Sequence, residues 1–498
     1  MRTPSLLATL SALALVPALA QAAPAKAALK APKTTTKAPG KELAKDGAKA
    51  AQLPAPVKVT AVEGITEYKL GNGLRVLLYP DASKPQMTVN ITYLVGSKQE
   101  SYGETGMAHL LEHLLFKGTD AHPDVPKVLN GLGARFNGST WFDRTNYYVG
   151  FPASDANLSI ALDLEADRMV NSHIWKKDLW DEKEQKGEMT VVRNEMEAGE
   201  NDPSGVLTDR VASVAFDWHN YGKSTIGARS DVENVNTDHL KDFYRKFYQP
   251  DNAVLLVAGK IDEAKVLAEV NEKFGRIPRP TRVLEKLWTV EPTQDGERSV
   301  TVRRVGGTPV LVAGYHVPQT ANQDASAVSL IQGILTEEPS GRLYKALVET
   351  KLATHAEGFA VSTLDPTFEM FSIELPKDGN VAEAKRIALE TIEGFKAKPI
   401  TNEELERAKA RASKLSDLVL QRTDILAIQL SEAIAAGDWR VWFLKRDQTE
   451  KLTLAQVQAA AERYFKQSNR TLGEYVPTEK PDRSEMPAAM DLAAELKD

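Results

Sequence analysis

His109, Glu112 and His113, in the run from Gly106 to Phe116, spell H-x-x-E-H on a stretch with helical apolar spacing. Residues four apart lie one above the other on a helix. Both imidazoles can therefore point at one ion, with Glu112 at the edge of the same face. Catalytic zinc asks for this arrangement: three protein ligands, a fourth position kept for water whose pKa the metal draws down toward about 7, and a nearby carboxylate to take the proton. On that reading His109 and His113 are metal ligands and Glu112 is the base. The same residue types also occur as histidines bonded to carbonyls or facing solvent, so the motif needs context.

A third ligand must come from elsewhere in the chain. The residues from Asp178 to Glu197 predict an acidic helix on which Glu188 and Glu195 are seven apart, hence two turns apart on one face, while Glu197 points elsewhere. One of the pair can coordinate a metal while the other orients a ligand. The alternative is an acidic, solvated helix face, which is what most charge runs are.

With these pieces in view, the chain resembles the pitrilysin and mitochondrial processing peptidase family of zinc peptidases, whose H-x-x-E-H is the inverse of H-E-x-x-H. In that family a segment like E-x-x-x-V-x-x-E follows, its last Glu being the third ligand. The run from Glu188 to Glu195 fits it, slightly farther from His113 than is usual, with a few extra residues between 176 and 186. The resemblance implies Glu195 as ligand and Glu188 as its neighbour. Other matching pieces are Leu70-Gly-Asn-Gly-Leu-Arg-Val, Gly133-Ala-Arg-Phe-Asn137-Gly-Ser-Thr140, Asp143-Arg-Thr-Asn-Tyr-Tyr148 and His219-Asn-Tyr-Gly. The likeness thus covers most of the chain between about residues 65 and 475. The family adds its peptide substrate as an extra strand to a sheet edge, which makes Asn137 a candidate to hold the peptide backbone; an Asn satisfying a turn or bulge is the alternative. His122, His173, His239, His316 and His355 have no ligand-like neighbours in sequence and read as structural or surface groups.

The first residues predict an address. Met1-Arg2 precedes an apolar run from Leu6 to Ala20 that closes on Ala18-Leu19-Ala20, the pattern of a secretory signal, and the run is too short for a membrane span. The chain has no cysteine, hence no lipid-attachment residue and no disulfide. These features predict an exported protein, periplasmic or secreted to the medium, without stable membrane insertion. The next stretch is built from Ala, Lys, Pro and Thr and cannot bury enough apolar surface to fold. The net charge of −6 includes this basic segment, so the remainder is acidic, which argues against nucleic acid as a partner.

The rest exceeds one ordinary core. Internal similarity divides it: aligning Asn252 with Asn469 also aligns Phe247 with Tyr464 and Leu240 with Val457, each time a helix passing into a strand. The expected organisation is a signal at 1–22, a disordered tether at 23–56, a zinc-binding domain at 57–275, a linker at 276–297, a homologous domain without metal at 298–480 and a tail at 481–498. The fold class is α+β: two homologous domains, each an antiparallel-rich mixed sheet with helices on one face, forming a clamshell. Tyr68–Tyr79 predicts a hairpin around Asn72-Gly73, Met87–Val95 a half-buried strand, and Thr401-Asn-Glu-Glu404 a capping box opening a long helix.

In the second half, 325–335 aligns with the motif helix but carries neither His nor Glu, so one zinc per chain is expected. There the family supplies an arginine and a tyrosine that contact substrate across the clamshell; this chain has Val348 and Thr354, with one residue deleted. The resemblance implies a zinc-dependent endopeptidase or oligopeptidase cleaving extended peptides in a closed chamber, completed by a second peptidase-like subunit as a homodimer or heterodimer. The other readings are a non-catalytic subunit of such an assembly, or a zinc-containing peptide-binding module. A structural zinc normally takes four protein ligands, and no fourth stands beside these.

Overall fold

A computed structural model describes residues 53–484 and 486–496. The expected signal at 1–22, and the tether as far as residue 52, lie outside the described residues. Seven strands form a first sheet: β1 (Val57–Val62), β2 (Ile65–Lys69), β3 (Arg75–Pro80), β4 (Gln86–Tyr93), β5 (Arg135–Thr140), β6 (Thr145–Pro152) and β7 (Ala253–Gly259), in the order β1-β2-β3-β7-β4-β6-β5. A second sheet holds β8 (Arg298–Val305), β9 (Val310–Val317), β10 (His355–Ala360), β11 (Thr367–Glu374) and β12 (Arg470–Thr478), in the order β10-β11-β9-β12-β8.

The two sheets repeat one plan. β3 runs parallel to β7, which is followed by antiparallel β4, β6 and β5. β8 runs parallel to β12, followed by antiparallel β9, β11 and β10. The aligned asparagines do the same task in both copies. Asn252 Nδ2 donates to Phe247 O at 3.0 Å and to Leu94 O at 3.4 Å, while Asn469 Nδ2 donates to Tyr464 O and His316 O, both at 2.8 Å. Each fastens the end of a helix to the strand after it, satisfying carbonyls that the helix leaves unpaired.

The predicted hairpin forms β2 and β3, and Asn72 anchors its turn by donating to Phe274 O and Ile277 O at 2.8 and 3.0 Å. The predicted capping box at Thr401 and Glu404 is present at the start of the helix Asn402–Leu420. The expected acidic helix is broken. A short helix, Lys176–Leu179, gives way to a loop in which Asp181 Oδ1 accepts from Lys183 N and Glu184 N, and the helix Glu188–Glu200 starts afresh after Gly187. The Asp181 carboxylate offers the backbone a turn in place of a helix.

Helices of each half cover one face of its own sheet, and the opposite face is covered by a helix from the other half. Pro203–Ala215 brings Leu207 and Val211 onto Val310, Val312 and Met370 of the second sheet. Thr423–Ala435 brings Leu426, Leu430 and Ile434 onto Leu77, Val254 and Leu256 of the first. Both sheets are therefore buried on two sides, which is why β7 is continuously apolar and wholly buried. Polar bonds pin the exchange: Asn90 Nδ2 donates to Ser431 Oγ at 2.7 Å, Trp439 Nε1 to Glu67 Oε2 at 2.8 Å, and Arg144 Nε to Glu432 Oε1 at 2.9 Å.

Candidate metal centre

The motif occupies the helix Met107–Leu114, which begins with Gly106 in the left-handed region at φ 90°. A Cβ there would lie 2.6 Å from Ile226 O, so glycine is required twice over. Glu100 caps the helix, its two oxygens accepting from Gly106 N and Ala108 N at 2.9 and 2.8 Å. Leu110, Leu111 and Leu114 are fully buried, and they turn the opposite side of the helix, with His109 and His113, outward.

Helix Glu188–Glu200 packs beside the motif helix and brings in its carboxylates. Glu195 Oε2 lies 3.5 Å from His109 Nε2 and 3.6 Å from His113 Nε2. His109, His113 and Glu195 each offer one ligand atom, all within 4.8 Å of one another, and among the described residues this is the one such group. Ligand bonds of 2.0–2.2 Å in a tetrahedral shell put donor atoms roughly 3.3–3.6 Å apart, and the two Glu195–histidine distances match that spacing. The histidine chemistry fits as well. Glu188 Oε2 stands 3.0 Å from His113 Nδ1, which fixes a proton on Nδ1 and leaves Nε2 as the ring nitrogen turned toward Glu195. Glu188 is itself held by Lys117.

The charges agree with a site built for a cation. Burial draws His109 down to about 4, so at neutral pH its ring is neutral and keeps one nitrogen lone pair free. Burial also acts against a proton on His113, but Glu188, Glu195 and Glu112 outweigh it and raise this group to about 10. A metal ion must displace that proton, which ties binding to pH.

Glu112 is buried at 9 % exposure, and burial raises its pKa. Its Oε2 accepts from Thr140 Oγ1 at 2.8 Å. Gly138, two residues earlier on β5, gives the carboxylate room: a Cβ there would lie 2.9 Å from Glu112 Oε1 and 3.1 Å from the Phe116 ring. Sequence reasoning quoted Gly138 and Thr140 within a matching run but assigned them no task, because a contact across a strand and a helix has no spacing signature.

β5 is the edge strand of its sheet, so its outer backbone groups are unpaired within the sheet. Strand alternation turns Gly138 and Thr140 toward the motif helix and Asn137 to the other face. There Asn137 sits opposite Tyr148 on the neighbouring strand. The structure thus brings Glu188 to the cluster with His109, Glu112, His113 and Glu195, and places the Asn137 side chain on the far side of β5.

The other residues singled out in the sequence lie away from the cluster, the remaining histidines as the structural or surface groups expected of them. Val348 packs against the second core, and Thr354 Oγ1 donates to Glu374 O at 3.1 Å. His122 pairs with Asp167, His173 with Asp120, His239 with Glu104 and His355 with Glu357, while His316 bonds Ala215 O.

Comparison with known proteins gives a consistent result. Residues 75–229 match the family model described as insulinase (peptidase family M16), and residues 234–412 match the peptidase M16 inactive domain. The zinc protease PqqE of Helicobacter pylori is 28% identical over 417 residues, spanning 81% of this chain and 90% of that protein. The crystal structure of a protease from Helicobacter pylori superposes with a TM-score of 0.78 at 26% identity, covering 86% of this chain and 100% of the other. The periplasmic protease PqqL from Escherichia coli shares the fold, with a TM-score of 0.68 at 20% identity over 85% of this chain and 48% of that one. Among the described residues no helix is long and apolar enough to cross a membrane.

Proposed function

Because the chain belongs to the M16 peptidase family, we propose that it is a zinc-dependent endopeptidase or oligopeptidase acting on extended peptides. In this reading His109, His113 and Glu195 hold one zinc per chain, Glu112 is the general base, and Glu188 orients His113. One observation carries it: three donor atoms from two helices converge within 4.8 Å. A bound zinc supplies Lewis acidity, lowering the pKa of water and polarising a peptide carbonyl.

The protein's own groups do the rest. Thr140 holds one oxygen of Glu112 and leaves Oε1, beside Gly138, to accept a proton from water and return it to the leaving amine. Glu188 keeps the His113 ring in the tautomer that presents Nε2. The open edge of β5 receives the substrate backbone as an added strand, so recognition rests on main-chain hydrogen bonds. The zinc-binding unit spans 57–275 and the metal-free unit 298–480.

A second peptidase-like subunit completes the chamber. Val348 is committed to the core and Thr354 to a backbone carbonyl, and neither side chain can offer the charged or phenolic hydrogen bonds that an Arg and a Tyr would. A partner of related fold supplies those groups, and the pair works in the periplasm, as the Escherichia coli relative's description suggests for that protein. The test is to purify the chain, determine its zinc content, its mass in solution and its hydrolysis of a mixed peptide library, and repeat with a related subunit. Zinc-dependent cleavage that rises with the partner supports the proposal. A chain without zinc or cleavage in either setting refutes the peptidase reading, and full activity of the isolated monomer refutes the two-subunit part.

A further inference from the structure

The open edge of β5 has a chemistry fixed by which of its groups point outward. Trp141 N donates to Arg144 O at 2.8 Å, so these two residues form a hydrogen-bonded pair where β5 turns into β6. In an antiparallel ladder such pairs alternate with pairs that exchange no bonds. Counted back through the unbroken register, Ser139–Asn146, Asn137–Tyr148 and Arg135–Gly150 are hydrogen-bonded pairs, while Thr140, Gly138 and Phe136 turn their backbone N–H and C=O to the open edge. A peptide added antiparallel to β5 therefore bonds to Phe136, Gly138 and Thr140. Its residues opposite Arg135, Asn137 and Ser139 then stand in non-hydrogen-bonded pairs, where Cα atoms approach to about 4.5 Å and side chains lie closest.

The three side chains on that face differ in what they can give a peptide. Ser139 Oγ donates to Asn146 Oδ1 at 2.8 Å and accepts from Arg144 Nη1 at 2.7 Å. Asn137 lies opposite Tyr148. Arg135 is exposed, and among the described residues its guanidinium enters no ion pair or hydrogen bond. Its neighbour across β6 is a glycine, and a Cβ built on Gly150 would meet nothing closer than Thr88 Oγ1 at 3.8 Å, so that side of Arg135 is open. Behind it Thr88 and Thr423 share a hydrogen bond at 3.2 Å, and Asp424, the next residue, is paired with Arg422 at 2.7 Å. The cross-strand neighbour left for Arg135 is a residue of the added strand.

Charge on an edge strand discourages pairing with arbitrary strands. It also selects which strand pairs, since opposite charges facing one another attract and like charges repel. A guanidinium fork matches a carboxylate in two parallel hydrogen bonds. Taking the chain as a peptidase that adds its substrate to β5, we propose that Arg135 determines specificity, selecting peptides with Asp or Glu at one position about three residues from the cleaved bond. The strand sets that distance: Gly138 lies against the Glu112 carboxylate, and Arg135 comes three residues before it.

The test uses a neutral, extended, fluorophore-labelled peptide in which Gln, Glu or Lys is placed in turn at each position, with the zinc-loaded protein. In the parent, kcat/KM at one position about three residues from the cleaved bond is about two- to fivefold higher with Glu than with Gln, and lower again with Lys. Arg135→Gln removes that discrimination, and Arg135→Glu reverses it in favour of Lys. The same peptides are titrated by fluorescence anisotropy against Glu112→Gln, alone and combined with each Arg135 substitution, so the order of affinities is read without turnover. Equal kcat/KM for Glu, Gln and Lys at every position in the parent, or an acidic preference that survives in Arg135→Glu, overturns the proposal. If no peptide is cleaved, the peptidase reading fails by itself and the anisotropy titration still decides Arg135: tighter binding of a Glu peptide that reverses with Arg135→Glu supports the assignment, and equal binding of all three overturns it.

Discussion

Replacing Glu188 with Gln keeps the side chain's size and an acceptor oxygen but removes the charge that stands 3.0 Å from His113 Nδ1 and pairs with Lys117. A hydrogen bond to a charged group contributes about 1.5–3 kcal/mol and a neutral one about 0.5–1.5, so the exchange costs on the order of 1–2 kcal/mol. That is roughly five- to thirtyfold in a binding constant, overlapping the ten- to hundredfold usual when a group behind a ligand is lost. Zinc affinity is read by competition with a chromophoric chelator at fixed pH, with melting curves to show that the variant is folded. Glu195→Gln, which removes one of the three converging donors, loses more in the same assay. A Glu188→Gln affinity within threefold of the parent, or a loss larger than that of Glu195→Gln, would show that the two carboxylates have been given the wrong tasks.

Three further outcomes follow from other contacts. Gly138→Ala forces a methyl to within 2.9 Å of Glu112 Oε1, so kcat falls by about a hundredfold while zinc content is unchanged; a normal kcat would mean the carboxylate has slack. Ser431→Val leaves Asn90 and Thr92 short of a buried partner at the junction of the halves and lowers stability by about 1–3 kcal/mol in urea titration; no change would mean the exchanged helix is held by packing alone. Arg342 and Thr401 hold Glu404 down to about 2 against the effect of burial. Its folded pKa is below its unfolded value of about 4.3, so its contribution is present above about 4.3 and is lost as pH falls toward about 2. Glu404→Gln flattens that part of the stability curve, and an identical acid limb in both proteins would contradict the pairing.

Much of the site could be read from the chain because its parts obey short-range rules. Two histidines four apart on an amphipathic helix share a face whatever surrounds them, and Glu188 and Glu195 keep their two-turn spacing although the helix carrying them starts ten residues later than expected. The repeat was legible for a similar reason: Asn252 and Asn469 close the same local junction. What escaped depends on register or on distant packing. Which way Asn137 points is a matter of strand parity, and one residue of slip would reverse it. The apolar stripe of Thr423–Ala435 says that a face is buried, but nothing local says that it is buried under the other half's sheet. The break at Gly187 was masked by the surrounding helix-forming Glu and Lys residues, whose propensities are weaker than the turn Asp181 makes with the backbone.

In the proposed site His109, His113 and Glu195 bind zinc while Glu112 does the proton transfer. The direct measurement is zinc content and peptide turnover of Glu112→Gln, purified beside the parent. Both proteins are expected to hold about one zinc per chain, with turnover in the variant lower by about a hundred- to ten-thousandfold. Parent-like turnover in Glu112→Gln, or loss of the metal along with the activity, would contradict it.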